Sequence, residues 1–268
     1  TPFPEMADDL FGAGGAPPCL VVFVDAWTAY GGSQFVDSPG TGRYHTYLCN
    51  EVVPFVDGRY RTAAEAGCRG IMGHSSGGFG AMISCMLRPD VFGGMATHAG
   101  DALYEMLYLP AFSQVVRTLR RYDGSIEAWW DDFRSRVPLM RPDDFDTLMM
   151  YGVSACFSAA DDGTPMLPFD PVSGRLHDGT WARWLAWDPV RMVPSCGDAL
   201  RSLRAIWIDG GRSDQYNLDL GAIAFRDALA SVGVTDTVHF ELFDGTHSNV
   251  EWRYPLSLGW LAERLSPR

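Results

Sequence analysis

Gly70-Ile71-Met72-Gly73-His74-Ser75-Ser76-Gly77-Gly78-Phe79-Gly80 is the stretch whose reading decides the fold. Cys68 to Met72 is a short apolar run around a turn glycine, as a buried strand should be. Ala81-Met82-Ile83-Ser84-Cys85-Met86-Leu87 continues as a helix without a breaker until Arg88-Pro89-Asp90, where proline stops it. Between them, Gly73-x-Ser75-x-Gly77 has the form of a nucleophile elbow, a strained corner that lifts a serine hydroxyl above a sheet. The flanking glycines are expected because a Cβ there would strike the neighbouring strand or helix. Ser76 cannot be the corner, since position 74 would then have to be glycine and is His74.

Working outward, the chain alternates strand and helix signals. Cys19-Leu20-Val21-Val22-Phe23-Val24-Asp25 is a continuous β-rich apolar run that predicts a strand buried on both faces of a parallel sheet. The glycine-rich segment from Trp27 to Gly42 reads as a long loop at that strand's carboxyl end, where α/β sheets place ligands. From Tyr44, the positions Tyr47, Leu48, Val52, Phe55 and Val56 recur at helical spacing, with a kink expected at Pro54. Phe92 to His98 predicts the strand after the elbow helix, and Ala205 to Ile208 and Val238 to Leu242 predict two more. Leu220 to Ala230 and Trp252 to Leu265 read as helices. Strands alternating with helices imply a mostly parallel sheet covered on both faces, fold class α/β.

Residues 102–198 are different text, with helical segments, tryptophans, proline-rich links and no clear strand. They are expected to form a mainly helical cap inserted into a core made of residues 1–101 and 199–268. Trp181, Trp184 and Trp187, three apart, form a stripe on one helix face. A packing face between cap and body is the favoured reading, ahead of a substrate cradle.

The length of 268 residues suits one large α/β domain, or a domain plus a cap. A formal charge of −12 with no basic cluster argues against nucleic acid or an anionic membrane as partner. All 21 basic residues are arginine, which favours a high-GC, bacterial genome over salt adaptation. The six cysteines lack CxxC or metal-ligand spacing, so buried free thiols and no metal are expected. No stretch approaches a membrane span, and no signal peptide opens the chain. The missing initiator methionine leaves removal of a leader open, with a cytoplasmic location slightly favoured over secretion. A homo-oligomer is compatible with this composition.

A serine hydroxyl is a weak nucleophile and needs a base in hydrogen-bond reach, held in turn by a carboxylate. When the serine is on such an elbow, the chain order is Ser, acid, His. His247, in the loop after the last strand, satisfies that order. Asp209 and Asp214 share one loop and are near equal as the acid, with Asp101 a weaker third. Ser76 N–H is one expected oxyanion donor. Trp27, His74 and His98, at or beside the ligand-facing edge, are candidate substrate contacts.

Gly73-His74-Ser75-Ser76-Gly77-Gly78-Phe79-Gly80-Ala81, the preceding Gly31 to Ser38 with Gly42-Arg43-Tyr44, and the Asp57 to Arg61 segment resemble the putative-esterase branch of the α/β-hydrolases. That branch includes S-formylglutathione hydrolases, feruloyl esterases, enterochelin esterases and bacterial mycolyltransferases. Gly210 to Gln215 resembles its acid loop and Asp244 to Ser248 its histidine loop, so the resemblance implies a triad of Ser75, Asp214 and His247. It implies a serine carboxylic-ester hydrolase of aromatic or moderately apolar esters, working through an acyl-enzyme without cofactor or metal. An acyltransferase with the same triad and a non-catalytic binding protein are the alternatives. Relatives carry a further strand before Leu20 to Asp25, ending in a His-Gly-type turn that completes the oxyanion hole. Nothing in residues 1–18 supplies that turn. Either that first strand lies outside this chain, or the second donor comes from elsewhere, for example the Asp25-Ala26-Trp27 turn.

Overall fold

A computed structural model describes residues 3–136 and 138–267. The chain divides into two compact units, one of Thr1–Val24, Tyr47–Leu103 and Pro189–Arg268, the other of Asp25–Thr46 and Tyr104–Asp188.

The first unit is built on a four-stranded, all-parallel sheet of β1 (Gly70–His74), β2 (Gly94–His98), β3 (Ala205–Gly211) and β4 (Val238–Phe243), paired in that order. Side chains alternate along each strand, so register decides which residues share a face. Met72, Ala96 and Trp207 lie on one face, under helix α3 (Tyr254–Leu265), and pack with Leu261 and Leu265 into a buried cluster. Burial of each such leucine contributes about 2 kcal/mol. Gly70 and Gly94 share that face, and a Cβ on Gly70 would lie 2.9 Å from Leu265. The opposite face carries helix α1 (Ser76–Leu87) over β1 and β2, and helix α2 (Leu218–Ser231) beside β3. The sheet is therefore covered on both sides, as the alternation of elements predicts.

One expected strand is not formed. Cys19 to Asp25 has no strand assignment, and Leu20, Val22 and Phe23 are 54%, 47% and 64% exposed. Its β-rich composition describes a side-chain preference, but a strand also needs a neighbour for its backbone N–H and C=O groups. Among the described residues, β1 pairs only with β2, so the run forms no ladder with the open edge of β1. The helix from Tyr44 is also modified. Leu48–Val52 winds as a π-helix before an α-helix from Val53 to Arg59, and Pro54, which has no N–H to give to the preceding helical turn, lies just past that change of winding. Of the six free cysteines, Cys49, Cys85 and Cys156 are buried, whereas Cys19 is exposed and Cys68 and Cys196 are half-buried.

The second unit is mainly helical, with helices Leu109–Leu119, Ile126–Ser135, Asp144–Phe157 and Asp178–Leu185. It differs in extent from the expected 102–198 segment because Asp25–Thr46 packs into it. The Ser38 hydroxyl donates to the Ala155 carbonyl at 2.5 Å, and Gly152 passes so close to the Tyr30 carbonyl that a Cβ would lie 2.7 Å from its oxygen. The tryptophan stripe is internal to this unit. Trp181 and Trp184 meet Phe112 edge-on, Trp184 meets Tyr108, and Trp187 stacks on Phe157. These rings form the unit's own core, where aromatic pairs add about 0.5–1.5 kcal/mol each beyond burial.

Candidate active site

Ser75 sits at the junction of β1 and α1 with φ 55° and ψ −123°, outside the regions a residue with a Cβ normally occupies. Gly73 permits the corner: a Cβ there would lie 2.4 Å from the Gly77 carbonyl carbon. Gly77 itself has open space where its Cβ would go, so the need for glycine applies at Gly73 and not at Gly77. Gly78 is tight for another reason, since its Cβ would lie 2.8 Å from Gly100 Cα and Thr97 Oγ1. The corner is tied to the sheet by the Ser75 amide, which donates to the His98 carbonyl at 2.9 Å.

The acid and histidine loops follow β3 and β4, and they are stitched together. Ser213 N–H donates to the Gly245 carbonyl and Arg212 N–H to the Phe243 carbonyl, both at 2.9 Å. Gly211 lets them meet, because a Cβ there would lie 2.6 Å from the carbonyl oxygens of Gly245 and Thr246. This brings His247 Nδ1 to 2.9 Å from Asp214 Oδ2 and His247 Nε2 to 3.1 Å from Ser75 Oγ. The other Asp214 oxygen accepts the Tyr216 amide at 2.8 Å. The His247 amide donates to Gln215 Oε1 at 3.2 Å, and the edge of Tyr216 meets the His247 ring. The sequence marks Gln215 only as the residue after Asp214, and it gives no signal for Tyr216.

Asp209 and Asp101 are placed differently. β3 runs on to Gly211, so Asp209 lies within the strand and points to the α3 face. There its carboxylate accepts from His98 Nδ1 at 2.7 Å, Trp207 Nε1 at 2.8 Å and Arg253 Nε at 2.9 Å. Burial pushes its pKa up, but the hydrogen bond and charge of His98 and the donors on Trp207 and Arg253 outweigh burial and hold it below the ordinary carboxylate value. Asp101 Oδ1 lies 3.5 Å from Ser75 Oγ, at the outer limit of a hydrogen bond.

The three expected substrate contacts do not come together. His98 is fully buried, with Nδ1 on Asp209 and Nε2 on Ser257 Oγ at 2.9 Å, so it presents no nitrogen to a ligand. Being on an inward-facing strand position, it serves the interior. Trp27, 76% exposed, pairs with Gly32 in a two-residue hairpin of the second unit. His74 stacks against His247 with ring centroids 4.4 Å apart. Ser76 opens α1, so its amide lies at the helix's positive end. Among the described residues, no group of three His, Cys, Asp or Glu is placed to hold a metal ion, and no helix is long and apolar enough to cross a membrane.

Such an arrangement can carry out nucleophilic acyl transfer: a hydroxyl on a strained corner, an imidazole within proton-transfer reach, and a carboxylate on its far nitrogen. Residues 7–259 match the family model described as Putative esterase. No curated protein sequence matches the chain. Among solved structures, a ferulic acid esterase is 19% identical with a TM-score of 0.57, covering 98% of this chain and 77% of its own. Fluorophosphonate-binding serine hydrolase F of Staphylococcus aureus is 16% identical with a TM-score of 0.51, covering 86% of this chain and 68% of its own. The enterobactin esterase FES of Shigella flexneri is 15% identical with a TM-score of 0.51, covering 94% of this chain and 46% of its own. Likeness at these identities is one of fold. The family match, spanning most of the sequence, goes further: the chain belongs to the putative esterase family of the α/β-hydrolases.

Proposed function

We propose that the protein is a serine carboxylic-ester hydrolase in which Ser75, His247 and Asp214 form the catalytic triad. Ser75 Oγ attacks the ester carbonyl carbon while its proton passes to His247 Nε2. The C=O electron pair moves to oxygen, and the Ser76 N–H stabilises the resulting oxyanion. The tetrahedral adduct collapses, the C–O bond to the alcohol breaks, and His247 returns the proton to the departing alkoxide. Water then attacks the acyl-Ser75 ester, His247 again taking and returning a proton, to release the acid and free the serine. Asp214 holds the imidazole tautomer and balances the imidazolium charge. The observation that supports this reading most is the continuous chain from Ser75 Oγ through His247, 3.1 Å and 2.9 Å, to Asp214.

The substrate class proposed is an aromatic or moderately apolar ester. An aromatic acyl group is supported by the name of one fold neighbour, a ferulic acid esterase. Ser75→Ala is expected to remove hydrolysis of a short aryl ester, a drop on the order of 10⁴-fold or more in kcat, with the circular dichroism spectrum unchanged. Undiminished turnover in that variant refutes the assignment.

One observation favours a second reading, a binding protein that keeps the fold. Among the described residues, the Cys19 to Asp25 run lies outside the sheet, so no strand pairing fixes a second oxyanion donor at its end. Loss of one such donor costs about 3–4 kcal/mol of transition-state stabilisation. Fluorophosphonate labelling read by mass spectrometry separates the two: an adduct on Ser75 supports the hydrolase, and folded protein without one supports the binder.

A further inference from the structure

His74 ends β1 and precedes Ser75, yet its ring is turned to the histidine loop. The planes of His74 and His247 are 36° apart with centroids 4.4 Å apart. The His247 main chain also acts on the His74 ring as a hydrogen-bonding neighbour. Nε2 of His74 is buried without a hydrogen-bond partner. Tyr216 also meets the His247 ring in a T-shaped contact, centroids 4.9 Å apart and planes at 81°.

An imidazole held only at Nδ1 can still tilt about that bond and carry Nε2 away from the serine. Asp214 supplies the anchor at Nδ1, and the ring contacts with His74 and Tyr216 supply what the anchor lacks. We propose that His74 is a positioning residue, a neutral shelf that fixes the ring plane and main chain of His247 so that Nε2 stays on Ser75 Oγ. This deepens the triad reading and rests on it. The shelf has to be uncharged, because His247 becomes an imidazolium during the reaction and a second cation against its face would repel it. The charged and titratable groups that face His74 are His247 and Asp214 on the two loops and His98 on β2. Burial first, then the charges of His247 and His98, brings the His74 pKa down to about 4, so the ring is neutral where ester hydrolysis through a histidine base operates.

Three variants of the protein divide the two contacts: His74→Ala removes both, His74→Phe keeps the ring contact, and His74→Asn keeps a polar group toward the His247 main chain. Misplacing a catalytic group by a fraction of an ångström is costly, so His74→Ala should lower kcat by about thirtyfold while KM for a short aryl ester stays within about twofold. His74→Phe and His74→Asn should each recover about fivefold or more of that loss. The low-field proton resonance of the His247–Asp214 hydrogen bond should persist in His74→Phe and broaden in His74→Ala. Unchanged kcat in His74→Ala, or a change carried by KM alone, overturns the proposal, the latter making His74 a substrate contact. So does a loss that neither conservative variant recovers in protein melting at the wild-type temperature. Ser75→Ala run alongside distinguishes the deeper failure: if it retains turnover, the triad reading falls and takes the shelf with it.

Discussion

The first unit contains two Ser–His–Asp sets, and their dimensions are nearly the same. In one, Ser75 Oγ is 3.1 Å from His247 Nε2, and His247 Nδ1 is 2.9 Å from Asp214. In the other, Ser257 Oγ is 2.9 Å from His98 Nε2, and His98 Nδ1 is 2.7 Å from Asp209. Distances alone would rank the second set first. What separates them is backbone and access. Ser75 stands on a strained corner and the His247 side chain is 12% exposed. Ser257 is fully buried inside helix α3, and its hydroxyl also reaches the Tyr254 carbonyl at 3.2 Å. Asp209 differs again in holding Arg253, which also pairs with Glu241. A triad is thus defined by a reachable hydroxyl and an orientable imidazole, and three residue types at hydrogen-bond distance do not suffice. The buried set serves as a foundation for the open one, since the carbonyl of His98 accepts the Ser75 amide and that of Asp209 accepts the Ala99 amide.

The comparison is tested most severely by neutralising each aspartate. Asp214→Asn should lower kcat by about 10⁴-fold with a small change in stability, because the imidazole then takes the wrong tautomer. Asp209→Asn should do the reverse. Leaving His98 and Arg253 around an uncharged group should cost about 3–5 kcal/mol in urea unfolding, with activity per folded molecule retained. If Asp209→Asn instead silences a folded enzyme, the division between foundation and reactive set is wrong.

A pH prediction follows from His74, which belongs to the open set. Unfolded, its imidazole protonates near pH 6.5; folded, only at about pH 4. Between those values the unfolded chain holds one more proton, so stability rises with pH across that window and is lost as the solution is acidified from about 6.5 toward 4. The contribution is at most about 3 kcal/mol. Urea midpoints measured against pH should show a shallower slope in His74→Phe than in wild type; equal slopes would show that other groups carry the effect. The smallest change is expected for Ser257→Ala, which removes the buried hydroxyl that reaches His98 Nε2 and the Tyr254 carbonyl and should cost about 1–2 kcal/mol with ester turnover intact. Loss of turnover there would place Ser257 in the chemistry after all.

Much of this was legible in the chain itself. The corner at Ser75 is written locally, because Gly73, the apolar run before it and the unbroken helix after it are neighbours in sequence. His247 was legible for the same reason, as the loop histidine after the last strand. Spacing left Asp209 and Asp214 near equal, because the choice depends on whether β3 stops at Ile208 or runs to Gly211 and strand ends are set by pairing with β4; the acid-loop resemblance is what implied Asp214. The Cys19 to Asp25 run misleads similarly. Hydrophobicity speaks of what its side chains prefer, whereas strand formation depends on a partner for its backbone. The tryptophan stripe was readable as one helix face, but not what it faces.

By itself, then, the sequence determined a parallel α/β sheet, a serine at a strained strand-to-helix corner, and a histidine on a loop at the same sheet edge, all of them consequences of residues adjacent along the chain. Tertiary structure alone decided that Asp209 lies within a strand and turns to the α3 face, that His98 faces inward, and which of two similar Ser–His–Asp sets is open to solvent. These depend on strand register and burial, which sum contributions from segments more than a hundred residues apart, such as His98 with Asp209 at a separation of 111. No local pattern encodes a distance of that kind.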